Sequence, residues 1–448
     1  MNSNTTHKPS ERYGWYIVFV LSICGVVAYI DRQIINLLVD GIKSDLLITD
    51  TQISLLQGFA FAIFYAIVAI PLGRLADSKN RRWLITIGII AWTIAAMACG
   101  LANSYAELFI ARVFVGIGEA VLTPAGFSLL ADLFKPKRLA RPVSVFTASS
   151  FVGSGVALIV GGAIIKYLNG LETIVFPIVG QLEVWQAAFI LGALPGIPVA
   201  LWFFFTTHEP VRQDYDQHRQ ASAEFRDGFF QALKYCKKNL RLFTALFAGI
   251  SLLSAAQFAL GAWVPSYFMR VFDWTAAEIG SAQGTLFLVC GTLGVVTGGF
   301  LTDFFHRRGK HDANLRVASI AALLAVPCAI LATRAGNPSV AIAMLAPTMF
   351  LGTIPFGSGP AAIPTVAPPQ YRAQLVAIYL LVANLLGQSG GPWVVALMTD
   401  SYFGSDLAVG KSLSIVVPTL LILGALLTMW GWAPLREKLK RMNDPVDN

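Results

Sequence analysis

The chain has 448 residues, of which 56% are hydrophobic and 13% are charged, and its formal net charge is +8. Soluble domains average roughly half apolar and about a quarter charged residues, so this composition excludes an ordinary soluble protein and indicates a membrane protein. The basic balance could suggest nucleic-acid binding, but the placement of the charges along the chain indicates membrane topology and no nucleic-acid partner.

Apolar stretches recur along the whole chain, and each approaches or exceeds the roughly 20 residues that a helix needs to cross a bilayer. We predict twelve such spans, at residues 15–40, 54–76, 83–103, 106–132, 141–168, 184–207, 240–270, 277–302, 315–334, 338–367, 372–400 and 411–435. The predicted fold class is therefore an all-α membrane protein.

The Lys and Arg residues predict the orientation of the spans. If the N-terminus is cytosolic, the outer connections carry few basic residues, namely Lys43, Lys166, Arg270, Arg334 and Lys411. The positive-inside rule then places both termini in the cytosol, for a protein of the inner or plasma membrane. The first span carries no signal-peptide cleavage pattern, so we expect it to be retained. The five cysteines show no CxxC spacing, and we expect no metal and no cofactor.

The first span contains an adjacent charged pair, Asp31 and Arg32, within the segment AYIDRQIINLL. An ionised group in mid-membrane costs at least about 2.5–3.5 kcal/mol, so such groups normally face a protein interior or a wet cavity. Adjacent residues on a helix point about 100° apart, so at least one of this pair needs a partner on another helix. Tyr29, Arg32 and Asn36 form a polar stripe that could face the same cavity.

A sharp internal match links the two halves of the chain. GRLADSKNRR at 73–82 and GFLTDFFHRR at 299–308 share a glycine, an aspartate and two arginines at identical spacing. Each copy follows the second span of its half, so the chain is predicted to be a duplication of two pseudo-symmetric six-helix bundles. The predicted regions are a cytosolic tail (1–14), a first bundle (15–207), a cytosolic linker with at most a short interfacial helix (208–239), a second bundle (240–435) and a cytosolic tail (436–448).

The GRLADSKNRR segment resembles the signature loop between the second and third helices of the major facilitator superfamily. The resemblance implies a transporter fold and a cytosolic gate motif at Gly73, Asp77, Arg81, Arg82, Asp303, Arg307 and Arg308. This chain departs from the common pattern at Ser78 and Asn80, which predicts a weaker gate. The alternative is that Arg81 and Arg82 only enforce topology.

The fourth span contains two further charged residues, Arg112 and Glu119. Seven residues apart on a helix, they lie on one face and can line one cavity. Glu119 is the natural partner for Arg32. Arginine stays protonated, whereas a poorly solvated carboxylate can gain a proton near neutrality. Asp31 and Glu119 are thus the candidate proton carriers, and Arg32 and Arg112 the fixed charges that could hold an anionic substrate. A purely structural buried ion pair is the alternative.

RVFVGIGEAVLTPAGFSLLADLF (112–134), taken with YIDR (29–32), is similar to the spinster group of the superfamily. That group is associated with proton-linked export of lysolipids and sphingoid phosphates. The resemblance implies proton coupling at Asp31 and Glu119, and coupling or binding of an anionic head group at Arg32 and Arg112. Organic-anion symporters also carry a glutamate in this region, so a small soluble anion remains the alternative substrate.

The second half of the chain gives weaker evidence for site residues. Its candidate cavity-lining residues are Gln257, Gln283, Asn384 and Gln388, although buried amides also join helices to one another. Three prolines, Pro355, Pro360 and Pro364, should interrupt or kink the tenth span.

The leading hypothesis is a monomeric, proton-coupled secondary transporter of an amphiphilic anion that works by alternating access in contact with membrane lipids. ATP-driven pumping is disfavoured because no phosphate loop is present. An enzyme is disfavoured because all five histidines fall in tails, loops or the linker. A membrane sensor or scaffold that lost transport is the alternative from another class.

Overall fold

The computed structural model describes residues 11–135, 138–176, 180–210, 225–368 and 371–443. Within these ranges, twelve helices are long and apolar enough to cross a membrane, as predicted. In chain order, spans 1 to 12 are Glu11–Leu37, Asp50–Ala69, Arg81–Cys99, Tyr105–Leu133, Arg141–Asn169, Val184–Thr206, Leu240–Phe272, Ala276–Arg307, Ala313–Arg334, Pro338–Ser358, Gln374–Phe403 and Asp406–Lys440.

The helical segments are bounded as follows. The first half contains Glu11–Gln33, Val39–Leu46, Asp50–Gln57, Phe59–Ser78, Arg81–Cys99, Tyr105–Glu119, Leu122–Leu133, Ala140–Asn169, Val184–Ala193 and Gly196–Thr206. The linker and second half contain Phe225–Lys238, Leu240–Thr244, Ile250–Phe272, Ala276–Leu286, Thr292–Arg307, Ala313–Arg334, Pro338–Ser358, Ala362–Val366, Arg372–Val382, Gly391–Leu397, Val409–Trp430 and Trp432–Asn443. A two-stranded antiparallel hairpin pairs Val175–Phe176 with Gly180–Gln181, a small addition to the all-α prediction.

Several spans change helix type along their length. Span 1 ends in a 3₁₀ turn, Ile34–Leu37. Four π-helical turns occur in the second half, at Ala245–Gly249, Phe287–Gly291, Ala383–Gly390 and Met398–Phe403. The helix of span 10 ends at Ser358, and a separate short helix begins at Ala362, with Pro360 between them. The predicted interruption by prolines is therefore confirmed.

Contacts between residues divide the chain into two compact units. The first contains Met1–Ile35 and Phe64–Ala223, and the second contains Asn36–Ile63 and Glu224–Asn448. The segment Asn36–Ile63, which belongs to the first half of the sequence, thus makes its contacts with the second unit. Within the predicted linker, the structure contains the helix Phe225–Lys238, and residues 211–224 lie outside the described ranges.

Each unit repeats the same pattern of helix packing. In the first unit, span 1 packs along spans 5 and 6, and span 3 packs along spans 4 and 6. In the second unit, span 7 packs along spans 11 and 12, and span 9 packs along spans 10 and 12. Because equivalent pairs recur at the same positions of each half, the packing agrees with the predicted duplication.

Glycines permit the close contact of the equivalent pairs. A Cβ atom added to Gly153 in span 5 would lie 2.9 Å from the Cβ atom of Tyr29 in span 1. Gly391 in span 11 abuts the backbone of Ala255 in span 7 even more closely. Such approaches are tighter than real Cβ atoms allow, so only a glycine fits either position without a shift of the neighbouring helix.

Candidate functional site

The first unit contains a buried ion pair between spans 1 and 4. The guanidinium of Arg32 donates to the carboxylate of Glu119, as predicted from the sequence. The Glu119 side chain is 1% exposed, and the Arg32 side chain is 17% exposed. Since Glu119 is almost fully removed from solvent, its charge is compensated chiefly by Arg32, and loss of either partner would leave an unpaired charge.

Aromatic rings and hydroxyl groups surround Arg32. Its guanidinium carbon lies 4.8 Å from the ring centroid of Tyr29 and 5.6 Å from that of Tyr65. The hydroxyl groups of Tyr65 and Thr123 are 3.1 Å apart. These groups border a cavity of about 110 Å³ lined by Gly25, Ala28, Tyr29, Arg32, Tyr65, Glu119, Leu122, Thr123, Phe127, Phe146, Thr147, Ser149 and Ser150. Tyr29 therefore lies beside Arg32 at the edge of this cavity.

A second buried contact joins span 1 to span 4. A terminal nitrogen of Arg112 donates to the backbone carbonyl of Asp31 at 2.9 Å. Both residues are inaccessible to solvent, with 0% and 1% of their surface exposed. Among the described residues, neither carboxylate oxygen of Asp31 has a hydrogen-bond partner. A buried carboxylate without hydrogen bonds is very costly in its ionised form.

Asn36 lies apart from the Arg32 cavity, with the second unit. Its side-chain nitrogen donates to the backbone carbonyl of Gly261 in span 7 at 3.4 Å, and its side-chain oxygen accepts from Gln57 at 3.0 Å. The Gly261 carbonyl has no intrahelical donor four residues later because Pro265 has no N–H. The amide of Gln283 reaches the same stretch of backbone, at 3.3 Å from the carbonyl of Leu260 and 3.5 Å from that of Gly261.

The other predicted lining residues have different surroundings. Gln257 is buried, and its side-chain nitrogen has no hydrogen-bond partner among the residues described. Asn384 donates to the carbonyl of Leu380 in its own helix at 2.9 Å. Gln388 is half-buried within a π-helical turn. Of the four, Gln283 joins helices to one another, and the remaining three stay predictions.

The gate motif predicted for the first half forms an ion cluster around Arg81, whose side chain is 2% exposed. Arg81 contacts Asp132 of span 4 at 2.6 Å and Glu209, after span 6, at 2.7 Å. The Glu209 carboxylate also accepts from the backbone amides of Arg81 and Arg82 at the start of span 3, where an anion is favoured. Asp132 and Glu209 were not predicted, although each carboxylate stands at the end of a span.

The remaining residues of this motif have distinct roles. Arg82 donates to the carbonyl of Phe204 at 2.7 Å and lies 4.2 Å above the ring of that residue. Asn80, a departure from the family pattern, caps span 3 by accepting from the amide of Trp83 at 3.1 Å. Gly73 faces Pro124 of span 4. The side chain of Asp77 lies outside the described ones.

The repeated motif of the second half is arranged differently. Asp303, Arg307 and Arg308 are all exposed, and the guanidinium of Arg308 lies 4.0 Å above the ring of Phe304. A neighbouring carboxylate, Asp312, is instead buried and contacts Arg316 at 2.9 Å. The predicted gate role of the second copy is thus supported by sequence alone.

A charge cluster joins spans 1, 2, 7 and 12 at the end of the spans opposite the chain termini. Arg270 of span 7 binds both carboxylate oxygens of Asp50, at 2.7 and 2.9 Å, and contacts Asp40 at 2.7 Å. The ammonium of Lys43 contacts Asp50 at 2.8 Å and Asp406 at 2.7 Å. All five residues belong to the second unit. We call this set the Arg270 cluster.

The cations and carboxylates of the Arg270 cluster stabilise one another by ion pairing. The Asp50 side chain has no exposed surface, yet both of its oxygens are held by cations. Burial alone would lower the pKa of Lys43, but hydrogen bonds from its ammonium to Asp406 and Asp50 outweigh burial and raise the pKa above its usual 10.5. The nearby Asp400 accepts from the amide and hydroxyl of Thr51 at 2.7 and 2.6 Å.

Comparisons with known proteins agree with the fold and the sequence motifs. Residues 21–392 match the family described as the Major Facilitator Superfamily. An MFS-type efflux pump of Mycolicibacterium smegmatis (strain ATCC 700084 / mc(2)155) is 28% identical over 431 residues, which cover 95% of this chain and 94% of the relative. Protein spinster homolog 1 of Xenopus tropicalis is 24% identical over 87% of this chain and 74% of its own length.

Two further similarities concern a sugar-acid transporter and a solved structure. The hexuronate transporter of Bacillus subtilis (strain 168) is 28% identical over 65% of each chain. The crystal structure of a bacterial homologue of the human lysosomal transporter spinster has a TM-score of 0.78 and 24% identity, and the match covers 98% of this chain and 100% of that one. The fold is therefore that of a transporter and not of an enzyme. The chain belongs to the Major Facilitator Superfamily of integral membrane transporters, which move small molecules across membranes.

Proposed function

We propose that this protein is a proton-coupled secondary transporter of an amphiphilic anion, such as a lysolipid or a sphingoid phosphate, that works by alternating access. The observation that carries the proposal is the pair of buried carboxylates in the first unit. Glu119 is ion-paired with Arg32, whereas the Asp31 carboxylate is buried and has no hydrogen-bond partner in the part of the chain that the structure describes. Two carboxylates in such different surroundings suit different protonation states.

The coupling step follows from these two states. With Glu119 ionised, Arg32 is neutralised by Glu119. When Glu119 gains a proton, its negative charge is removed and the Arg32 guanidinium becomes available to an anionic group of the substrate. Substrate and Glu119 then compete for one cation, so proton binding and substrate binding are linked. Loss of the proton restores the ion pair and favours substrate release.

The surroundings of Arg32 suit the head group of the substrate. A guanidinium forms two parallel hydrogen bonds with a phosphate or carboxylate. The hydroxyl groups of Tyr29, Tyr65, Thr123 and Thr147 can donate to the remaining oxygens. A cavity of about 110 Å³ holds a head group and leaves no room for an acyl chain, so the chain of an amphiphile would extend away from it.

A proton-linked symporter of small organic anions is the second candidate. The hydroxyl-rich lining also suits a sugar acid, and the hexuronate transporter of Bacillus subtilis is among the similar proteins. A single-chain phospholipid and a sugar acid share the anionic group that Arg32 would bind. They differ in the apolar chain, which a ligand panel can test.

Transport by alternating access requires contacts that break during the cycle. The two bundles, at 15–207 and 240–435, would move relative to each other in a monomer whose termini are cytosolic. The Arg270 cluster contains residues of both predicted bundles, so its ion pairs would break as the bundles move. A sensor or scaffold would lack this alternation, so cysteines placed at the two ends would show one fixed pattern of accessibility.

A ligand panel tests the proposed substrate class. Thermal unfolding of the purified protein is measured with lysophospholipids, sphingoid phosphates, glucuronate and galactonate, at an acidic and a neutral pH. A ligand that binds only the folded protein raises its stability. We expect single-chain phosphates to stabilise the wild type and the control variant Arg334→Ala, but not Arg32→Ala. Stabilisation by sugar acids alone would support the organic-anion symporter. Equal stabilisation of all three proteins would refute a role for Arg32.

A further inference from the structure

Two amphipathic helices pack on the second unit, one just before span 7 and the other at the C-terminal end of the last span. They are the linker helix, Phe225–Lys238, and the C-terminal helix, Trp432–Asn443. Ala232 of the linker helix and Leu435 of the C-terminal helix are fully buried in one apolar core. The hydroxyl of Tyr371 donates to Gln231 at 3.0 Å, which fixes the linker helix further. We call these two helices the basic layer.

The outer surface of the basic layer is strongly positive. Over residues 231–238 and 432–440, it carries six basic residues, Lys234, Lys237, Lys238, Arg436, Lys438 and Lys440, and one acidic residue, Glu437. Arg241, at the start of span 7, adds a seventh cation, and all of these residues but Lys438 are exposed. Together these cations create a positive potential that attracts anions from the surroundings.

Large apolar side chains stand among these cations. Leu233 is 39% exposed, Leu240 is 61% exposed and Trp430 is 46% exposed. Arg241, at the start of span 7, donates to the carbonyl of Trp430 at 2.9 Å and lies 5.3 Å from the centroid of its ring. A tryptophan at the end of a span next to cationic side chains is typical of the membrane interface.

We propose that the basic layer binds the head groups of anionic phospholipids in the adjacent leaflet. The lysines and arginines would contact the phosphates, while the exposed Leu and Trp side chains would enter the region just below the head groups. Free phosphate would use only the cations and would leave these apolar side chains in water. The geometry therefore favours a lipid over a soluble anion.

The test is a lipid titration followed by native mass spectrometry. The full-length protein in detergent is titrated with phosphatidylglycerol or with phosphatidylcholine, and the retained lipids are counted. The variant replaces Lys234, Lys237 and Lys238 by Gln. The matched control replaces Lys79, Lys135 and Lys310, which are exposed, lie outside the basic layer and are predicted from the sequence to lie on the same side of the membrane. Both triple variants lose three positive charges.

We expect the layer variant to bind phosphatidylglycerol more weakly, by about fivefold for each lysine and on the order of a hundredfold for three. Binding by the control variant should match that of the wild type, and phosphatidylcholine should distinguish none of the proteins. Equal weakening in both variants would overturn the inference, because net charge alone would then explain binding. Unchanged binding in the layer variant would overturn it as well.

Two further measurements keep the result decisive. If the triple variant does not fold, the single variants Lys234→Gln and Lys238→Gln are titrated in its place, and each should lose about fivefold in affinity. Inorganic phosphate is added to the wild type as a competitor. Complete displacement of lipid by phosphate at moderate concentration would show a simple anion site and refute the role of the apolar side chains.

Discussion

Replacement of Arg270 by Gln should destabilise the protein strongly. The guanidinium holds both carboxylate oxygens of Asp50, whose side chain is fully buried, and also contacts Asp40. Loss of one partner of a buried ion pair costs about 3–5 kcal/mol because the other charge is left uncompensated. Lys43 still contacts Asp50 at 2.8 Å in the variant, so we expect the lower end of that range.

A double-mutant cycle isolates the contribution of the pair. The free energy of unfolding is measured in mixed micelles for the wild type, Arg270→Gln, Asp50→Asn and the double variant. The two substitutions should not be additive, and a coupling of about 1–3 kcal/mol is expected for residues in one ion network. The matched control is Arg334→Gln. Arg334 lies in the last turn of span 9, as Arg270 lies in the last turn of span 7. Among the bonds described, its guanidinium contacts only the hydroxyl of Ser414, at 3.3 Å.

The measured cost and coupling distinguish a buried ion network from a loose arrangement of surface charges. An exposed ion pair contributes about 1 kcal/mol or less. If Arg270→Gln costs no more than Arg334→Gln, or if the cycle shows no coupling, the Arg270 cluster does not stabilise this end of the molecule. Its role in the transport cycle would then have no structural basis.

Three further predictions concern other parts of the molecule. Because the pKa of Lys43 is raised in the folded protein, its stabilising effect is complete below pH 10.5 and is lost as the pH rises above that value. The difference in unfolding free energy between the wild type and Lys43→Gln should therefore shrink in a series of unfolding measurements at increasingly alkaline pH. Arg81→Gln leaves Asp132 and Glu209 without their buried cation and should cost about 3–5 kcal/mol in unfolding free energy, whereas Arg82→Gln should cost less; equal losses would contradict the cluster geometry. Gly153→Ala forces Tyr29 to shift, and overpacking of this kind costs about 1–3 kcal/mol, so a thermal melt indistinguishable from wild type would contradict the close packing of spans 1 and 5.

The sequence predicted the spans well because hydropathy is a local property. It also predicted the pair of Arg32 with Glu119, since few charged residues lie deep within spans and each needs a partner. The partners of Arg81 were missed because Asp132 and Glu209 stand at the ends of spans, where a carboxylate needs no explanation. The Arg270 cluster was missed for the same reason, and because Arg270 is more than 200 positions away from Asp40 and Asp50 along the chain.

Asn36 illustrates a different limit. The predicted stripe of Tyr29, Arg32 and Asn36 assumed an α-helix throughout span 1. The helix tightens into a 3₁₀ turn at Ile34–Leu37, which has three residues per turn, so the direction of Asn36 departs from the stripe. The residues of the π-helical turns in the second half likewise form no pattern that would distinguish these turns from ordinary α-helix. Such changes of helix type depend on tertiary contacts and were not predictable from the sequence.

The most direct test of the central claim is transport into proteoliposomes with and without an imposed proton gradient. The substrate is the ligand that most stabilises the wild type, and the wild type is compared with Asp31→Asn and Glu119→Gln. We predict that the gradient accelerates transport by the wild type, whereas the variants still exchange substrate but no longer respond to the gradient. A wild type that ignores the gradient, or variants that keep the full response, would contradict proton coupling through these two carboxylates.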